Sequence, residues 1–223
     1  MTNDKFKDQK IVFSDVHVLY QNISTPYTNP SNMEQYTMTV LIDNSDPKLK
    51  ELKGVIDRET ERAFGKNAKS VIQDMMKKTR NSGEPTYILI PTVFKELVDG
   101  ELVEKNVMDP FTTEPGYYKP WDQYHRLILK SKKRPEVRTS DGSLVDPKDE
   151  QTIRSLLSQG SLVGFSAHIW AGKNKKGHTY LWCCPELVMR RGKGHQLLSS
   201  GSTANLDSVA QMLAVPGSQN EEV

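Results

Sequence analysis

Residues 162–191 read "LVGFSAHIWAGKNKKGHTYLWCCPELVMRR", which is two apolar runs on either side of a short polar segment. Residues 162–170 and 179–184 are rich in β-branched and aromatic residues, which favour strands. The intervening "AGKNKKGH" contains two glycines and three lysines and is typical of a loop. We therefore predict two antiparallel strands joined by a basic loop, with "ELVMRR" (186–191) as a further segment that closes the sheet.

Other strands are predicted upstream of this hairpin. "KIVFSDVHVLY" (10–20) is apolar, and "YTMTVLI" (36–42) alternates apolar residues with threonine. "TYILIP" (86–91) predicts a short strand, and a hairpin or long loops are expected around Asp99 and Gly100. In "YHRLILK" (124–130) one face is apolar apart from a histidine, and the other mixes aromatic and cationic side chains.

Helices are predicted in two regions. Asp46 followed by Pro47 is a favourable helix start, and apolar spacing continues the helix to about Phe64. A second amphipathic helix follows, ending near residues 81–83. The second Asp-Pro pair predicts a short helix over residues 146–160.

The order of the predicted elements indicates a mainly β chain built on a small antiparallel sheet or barrel. Strands come first, then a helical insertion, and then more strands around one short helix. Pattern alone does not choose among such barrels. The 223 residues favour one domain, expected over residues 1–194 with its helical insertion at about 46–80. Residues 195–223 are small and polar and are expected to form a flexible tail. No apolar run is long enough for a membrane span or a secretory signal, so a cytoplasmic protein is expected.

The near-zero net charge of +2 hides a segregation of charge along the chain. Residues 84–115 are acidic, whereas residues 117–138 and 160–194 are basic. If the two basic stretches share a face, they create a local positive field. An anionic partner is then expected.

No motif indicates catalysis. "GKNKKGHT" (172–179) nearly matches a phosphate-binding loop, but His178 stands where lysine is required and a strand, not a helix, follows. Cys183 and Cys184 are adjacent, so as strand residues they would point to opposite faces and are better explained as packed thiols than as metal ligands. We predict no enzyme activity, no metal and no cofactor.

Aromatic residues are interleaved with lysines and arginines in both basic stretches. Single-stranded nucleic acid is bound by this combination, because cations contact phosphates while rings stack on unpaired bases. The alternative is that the tryptophans are core residues and the lysines a solvated surface. The predicted DNA-binding residues are Trp121, Tyr124, Arg126, Lys130, Lys132, Lys133, Arg134, Arg138, Trp170, Lys173, Lys175, Lys176, Tyr180 and Trp182.

Three segments in this order resemble the phage-encoded OB-fold single-stranded DNA-binding proteins: "YTMTVLIDNSDPKLKELKGVI" (36–56), "LKSKKRPEV" (129–137), and "SQGSLVGFSAHIWAGKNKKGHTYLWCCPELVMRRGKG" (158–194). The resemblance spans roughly residues 11–194. It implies a five-stranded antiparallel Greek-key barrel whose groove is lined by aromatic and basic residues. Replicative members of this group end in a long acidic tail with a terminal aromatic residue, whereas this chain ends "SQNEEV".

The sequence therefore predicts a protein that coats and protects single-stranded DNA, independently of base sequence, in phage replication or recombination. Single-stranded DNA is the expected partner, and replication proteins could be recruited through the tail. Two alternatives are an RNA-binding regulator on the same fold and a protein-interaction module whose basic patch meets an acidic partner. Oligomeric state is not predicted.

Overall fold

The structure is a computed structural model, and it describes residues 9–28, 34–82, 87–98, 101–106, 123–174 and 177–192. The predicted tail (195–223) and Trp121, Lys175 and Lys176 lie outside these ranges. Among the described residues, no helix is long and apolar enough to cross a membrane.

The described part of the chain contains ten strands and three α-helices. In chain order they are β1 (Lys10–Gln21), β2 (Tyr27–Thr28), β3 (Glu34–Asp43), α1 (Pro47–Phe64), α2 (Ala68–Ser82), β4 (Leu89–Pro91), β5 (Val93–Val98), β6 (Glu101–Asn106), β7 (Tyr124–Ser131), β8 (Glu136–Arg138), α3 (Glu150–Leu156), β9 (Leu162–Lys173) and β10 (Thr179–Gly192). A short 3-10 helix, Gly65–Asn67, joins α1 to α2. The predicted class, mainly β with helical insertions, is confirmed.

The main sheet has the strand order β4-β7-β3-β1-β9-β10-β8, and β2 pairs with β3. All neighbours in this sheet are antiparallel except β8 and β10, which run parallel. Strand β10 also contacts β7, so the sheet curls back on itself. Strands β5 and β6 form a separate antiparallel hairpin, which confirms the hairpin predicted around Asp99 and Gly100.

Helix α1 begins and ends as its sequence predicts. The Asp46 carboxylate accepts a hydrogen bond of 2.8 Å from the backbone amide of Lys48, and Pro47 occupies the first turn. Gly65 ends the helix with φ of 56°, a conformation that favours glycine. The helix packs on β9 and β1 through an apolar stripe that includes Leu52 and Ile56.

Inward-facing side chains of β1, β3, β7, β9 and β10 form the core. Phe13 on β1 and Phe165 on β9 are paired in register, and their rings stack with centroids 5.2 Å apart. Met38, Val40, Leu127 and Leu129 are fully buried around them. Each of these strands contributes every second side chain to this one core, and the residues between them face outward.

The predicted start of the third helix is wrong. Asp146 does not cap it: its carboxylate binds the amide of Lys148 in a local turn, and the N-cap is Asp149, which binds the amide of Thr152. The helix spans Glu150–Leu156 and is therefore shorter than the predicted 146–160 segment at both ends. The segments 179–184 and 186–191, which the sequence predicted separately, form the single strand β10. This strand continues through Pro185 because the residue lies at a β-bulge, where proline is tolerated.

A corner between β7 and β8 determines where the central basic run lies. Strand β7 pairs with β3 up to Ser131, and after four residues β8 begins at Glu136 and pairs with β10 instead. Residues 132–135, "KKRP", form this corner. The chain therefore places the densest basic run of the sequence where a strand changes its partner.

Candidate nucleic-acid interface

Three aromatic side chains lie on the outward side of the β9–β10 hairpin. Trp170 is directly opposite Trp182, and Tyr180 is opposite Gly172. Directly opposed residues on antiparallel strands share a face, with Cβ atoms about 4.5–5.5 Å apart. Leu181 between the two aromatic residues of β10 is buried, whereas Trp170, Tyr180 and Trp182 are partly exposed. We call Trp170, Tyr180 and Trp182 the aromatic trio.

The Tyr180 and Trp182 rings touch at an angle. Their centroids are 5.5 Å apart and their planes are tilted by 49°, so the rings do not cover each other as a parallel stack would. Both side chains keep part of their surface in solvent. The trio therefore offers ring surface to a planar ligand, and this placement favours the binding interpretation over the core interpretation for these residues.

The loop beside the trio is a basic hairpin turn. The Asn174 amide donates to the His178 carbonyl over 2.9 Å, and Gly177 has φ of 78°. Lys173, at the end of β9, is exposed. A strand, β10, follows the loop, whereas a phosphate-binding loop is followed by a helix. The strand predicted after this segment is therefore confirmed, and the segment does not have the structure of a phosphate-binding loop.

At the other end of the hairpin an acidic side chain contacts two basic residues. The Glu186 carboxylate lies 3.2 Å from Lys10 Nζ and 3.0 Å from His168 Nε2. His168 lies on the same side of β9 as Trp170, two residues away.

The adjacent cysteines are packed thiols rather than reactive groups. Cys183 is fully buried, and burial raises the pKa of its thiol well above the ordinary value. Burial also raises the pKa of Cys184 to about 11. Both therefore stay protonated at neutral pH, and within the described residues no three His, Cys, Asp or Glu side chains gather as a metal site.

Two of the basic residues at the β7–β8 corner are exposed. Lys132 and Lys133 are both exposed to solvent, and the Lys133 backbone amide donates a hydrogen bond of 3.1 Å to Ser131 Oγ. Their ammonium groups are placed for contact with an anionic ligand. They remain candidates for phosphate contacts.

Arg134 is used inside the fold instead. Its side chain is 18% exposed, and its guanidinium donates to the carbonyls of Ser24, over 2.8 Å, and Pro147. The same group lies over the Tyr36 ring, 5.2 Å from its centroid, and 3.9 Å from the Glu150 carboxylate. These bonds join the β1–β2 loop and the segment before α3 to the corner. We therefore correct the prediction that Arg134 contacts phosphate and assign it a structural role.

Arg138 is also engaged, though less deeply. Its Nε lies 2.5 Å from the Glu136 carboxylate, and its Nη1 donates to the Gly142 carbonyl over 2.9 Å. These contacts stabilise the turn that follows β8. With a side chain 40% exposed, it is a weaker phosphate candidate than the two corner lysines.

The outward face of β7 differs from its prediction at one residue. Tyr124 is only 7% exposed, so the prediction that its ring is available for stacking is wrong. Arg126 and Lys130 lie on that face and are partly exposed. Burial lowers the pKa of Arg126, and its Nε is buried with no hydrogen-bond acceptor among the described residues.

Tyr20 is the site candidate that the sequence prediction missed. A bulge between Val18 and Tyr20 shifts the register of β1, and the Tyr20 ring emerges 52% exposed opposite Thr39. Its phenol is near enough to Arg126 to influence the pKa of that side chain. The available signal was the break in alternation at "VLY" (18–20), where three apolar residues follow one another.

Comparison with known proteins shows the fold and little sequence similarity. No protein-family model matches the chain, and no curated protein matches it significantly in sequence. The single-stranded DNA-binding protein from bacteriophage Enc34 aligns with 16% identity over 91% of each chain, with a TM-score of 0.50. The structure of that protein in complex with ssDNA aligns with 17% identity over 85% of this chain and 90% of its own, with a TM-score of 0.52. The resemblance to phage single-stranded DNA-binding proteins is thus confirmed at the level of the fold.

Proposed function

We propose that this protein binds single-stranded DNA without sequence preference, holding bases on the aromatic trio and phosphates on neighbouring cations. The placement of Trp170, Tyr180 and Trp182 carries this proposal. Three aromatic rings on one outward face, beside a basic loop, form a stacking platform that tolerates every base because each base has a π-face. The shared fold with a protein whose structure was solved in complex with ssDNA supports it.

We further propose that the main sheet is an OB-type barrel. Its five strands would be β1, β3, the bent β7–β8 strand, β9 and β10. The parallel pairing of β8 with β10 and the contact between β10 and β7 support closure, and α3 lies in the chain between the third and fourth of these strands. Barrels of this kind bind oligonucleotides across their outer strands and loops.

A second contact region is proposed on the outward side of β1 and β7. The exposed Tyr20 ring can stack on a base, and the nearby Arg126 carries its guanidinium on a partly exposed side chain. A phosphate oxygen would form a charge-assisted hydrogen bond with the accessible part of that guanidinium. Lys130 on the same strand, and Lys132 and Lys133 at the corner that follows it, extend the positive surface.

The proposed role is to coat and protect single-stranded DNA in phage replication or recombination. The phage origin of the structural neighbours supports this setting. No catalytic step is proposed. Instead, the protein acts by excluding other molecules from the strand that it covers.

A titration tests this function. Labelled single-stranded DNA, duplex DNA and RNA of the same sequence are each titrated with the full chain at several salt concentrations. We expect the single strand to bind most tightly, with affinity falling as salt rises because phosphate contacts release counterions. Tighter binding to RNA would favour the RNA-binding alternative, and absence of binding to any nucleic acid at low salt would favour a protein-interaction module.

A further inference from the structure

Gly172 and Tyr180 form an unusually close cross-strand pair on the hairpin. They are directly opposite each other on β9 and β10, so both face the outward side. A Cβ atom built on Gly172 would lie 2.6 Å from the Tyr180 hydroxyl oxygen, 2.9 Å from Cζ and 3.2 Å from Cε1. The phenol ring therefore lies across the glycine, in the space that any other residue would fill with its side chain.

Backbone conformation does not explain the glycine. The described glycines with positive φ are Gly65, Gly142, Gly160 and Gly177, and Gly172 is not among them. Glycine is otherwise unfavourable inside a strand, because it adds flexibility and packs nothing. The requirement at Gly172 comes from the ring of Tyr180, which covers it as an aromatic residue covers a cross-strand glycine.

We propose that Gly172 is a positioning residue for DNA binding: by leaving room for Tyr180 to lie flat on the strand, it sets the orientation of that ring and its tilt against Trp182. This inference rests on the proposed stacking function of the trio. A ring fixed before binding loses less conformational freedom when a base stacks on it, which increases affinity. Gly172 itself touches no ligand in this scheme.

The Gly172→Ala substitution separates this role from folding. The atoms that the new methyl group would meet belong to the end of a side chain, so Tyr180 can turn away at little cost to the fold. Gly192→Ala is the matched control, because a Cβ at that β10 position meets only Leu162 Cδ2, at 3.8 Å. We expect Gly172→Ala to weaken binding to single-stranded DNA at least about threefold, as part of a stacking contact is lost. Gly192→Ala should bind as the unaltered protein does.

A double-mutant cycle with Tyr180→Ala tests whether Gly172 acts through the ring. Removal of the ring should weaken binding about 5- to 150-fold, the range that one stacked base represents. Adding Gly172→Ala to Tyr180→Ala should then change nothing further. Binding of the unaltered protein, the two single variants and the double variant is compared well below the lowest melting temperature of the four. A modest loss of stability then does not change the fraction of folded protein.

Three results would overturn the inference, and they are distinguishable. If Tyr180→Ala weakens binding but Gly172→Ala does not, the ring matters and its positioning by Gly172 is refuted. If the two effects add, Gly172 acts by another route. If Tyr180→Ala binds normally, stacking on Tyr180 fails and the positioning role fails with it.

Discussion

The guanidinium of Arg134 lies 5.2 Å from the centre of the Tyr36 ring and hydrogen-bonds the Ser24 and Pro147 carbonyls. We predict that Arg134→Ala lowers the free energy of unfolding by ~2–3 kcal/mol, since the carbonyl of the buried Ser24 loses a charged donor. Arg134→Lys should not restore stability, because an ammonium cannot form the same planar fork. Chemical denaturation measures both. A variant as stable as the unaltered protein would return Arg134 to the phosphate candidates.

Removal of Lys132 and Lys133 should affect binding and leave stability unchanged. Each lost phosphate contact on a single strand removes about 0.7 from the slope of log affinity against log salt, so the double alanine variant should lose about 1.4. Salt titration with a single-stranded oligonucleotide measures the slope. An unaltered slope would mean that these lysines are only a solvated corner.

Trp182→Ala should lower affinity without changing its salt dependence, unlike the double lysine variant. We expect affinity to fall by ~1–3 kcal/mol with the salt slope unchanged, because stacking on a base releases no counterion. Trp182→Phe, which keeps a ring, should retain most of the affinity. A loss of ~3–5 kcal/mol in folding stability on truncation would instead identify Trp182 as a core residue.

His125 predicts a pH dependence of stability. Burial, and to a lesser extent the charge of Lys53, lowers its pKa from 6.5 to about 4, and its Nδ1 lies 2.5 Å from Asn44 Oδ1. Between pH 6.5 and about 4 the unfolded chain binds a proton that the folded chain does not, so stability falls as pH falls through this window. Denaturation across the window should show a smaller fall in His125→Gln. An equal fall in both proteins would contradict this origin.

Local sequence signals predicted those parts of the fold that depend on local physics. The Asp46–Pro47 start of α1 and the alternation in β7 needed only neighbouring residues. The role of Arg134 could not be predicted, because its partners Ser24 and Pro147 lie 110 and 13 residues away in sequence and meet it only after the sheet has formed. In the sequence Lys132, Lys133 and Arg134 form one basic run at 132–134. In the fold the two lysines are exposed, whereas Arg134 hydrogen-bonds backbone carbonyls.

Site prediction had the same limit. Trp170, Tyr180 and Trp182 were predicted from the interleaving of aromatic and basic residues, and the structure places all three on one outward face, where they stay candidates. The exposure of Tyr20 depends on a bulge, which depends on the pairing of β1 with β3. The burial of Tyr124 likewise follows from tertiary packing, which the alternation of its own strand does not reveal.

Photochemical cross-linking tests the central claim most directly. Oligothymidine is irradiated in complex with the full chain, and the linked peptides are identified by mass spectrometry. The proposed interface predicts links to the aromatic trio and to Tyr20, suppressed by excess unlabelled single strand and much weaker with duplex. Links confined to other residues, or equal yields with single-stranded and duplex DNA, would contradict an interface built on these rings.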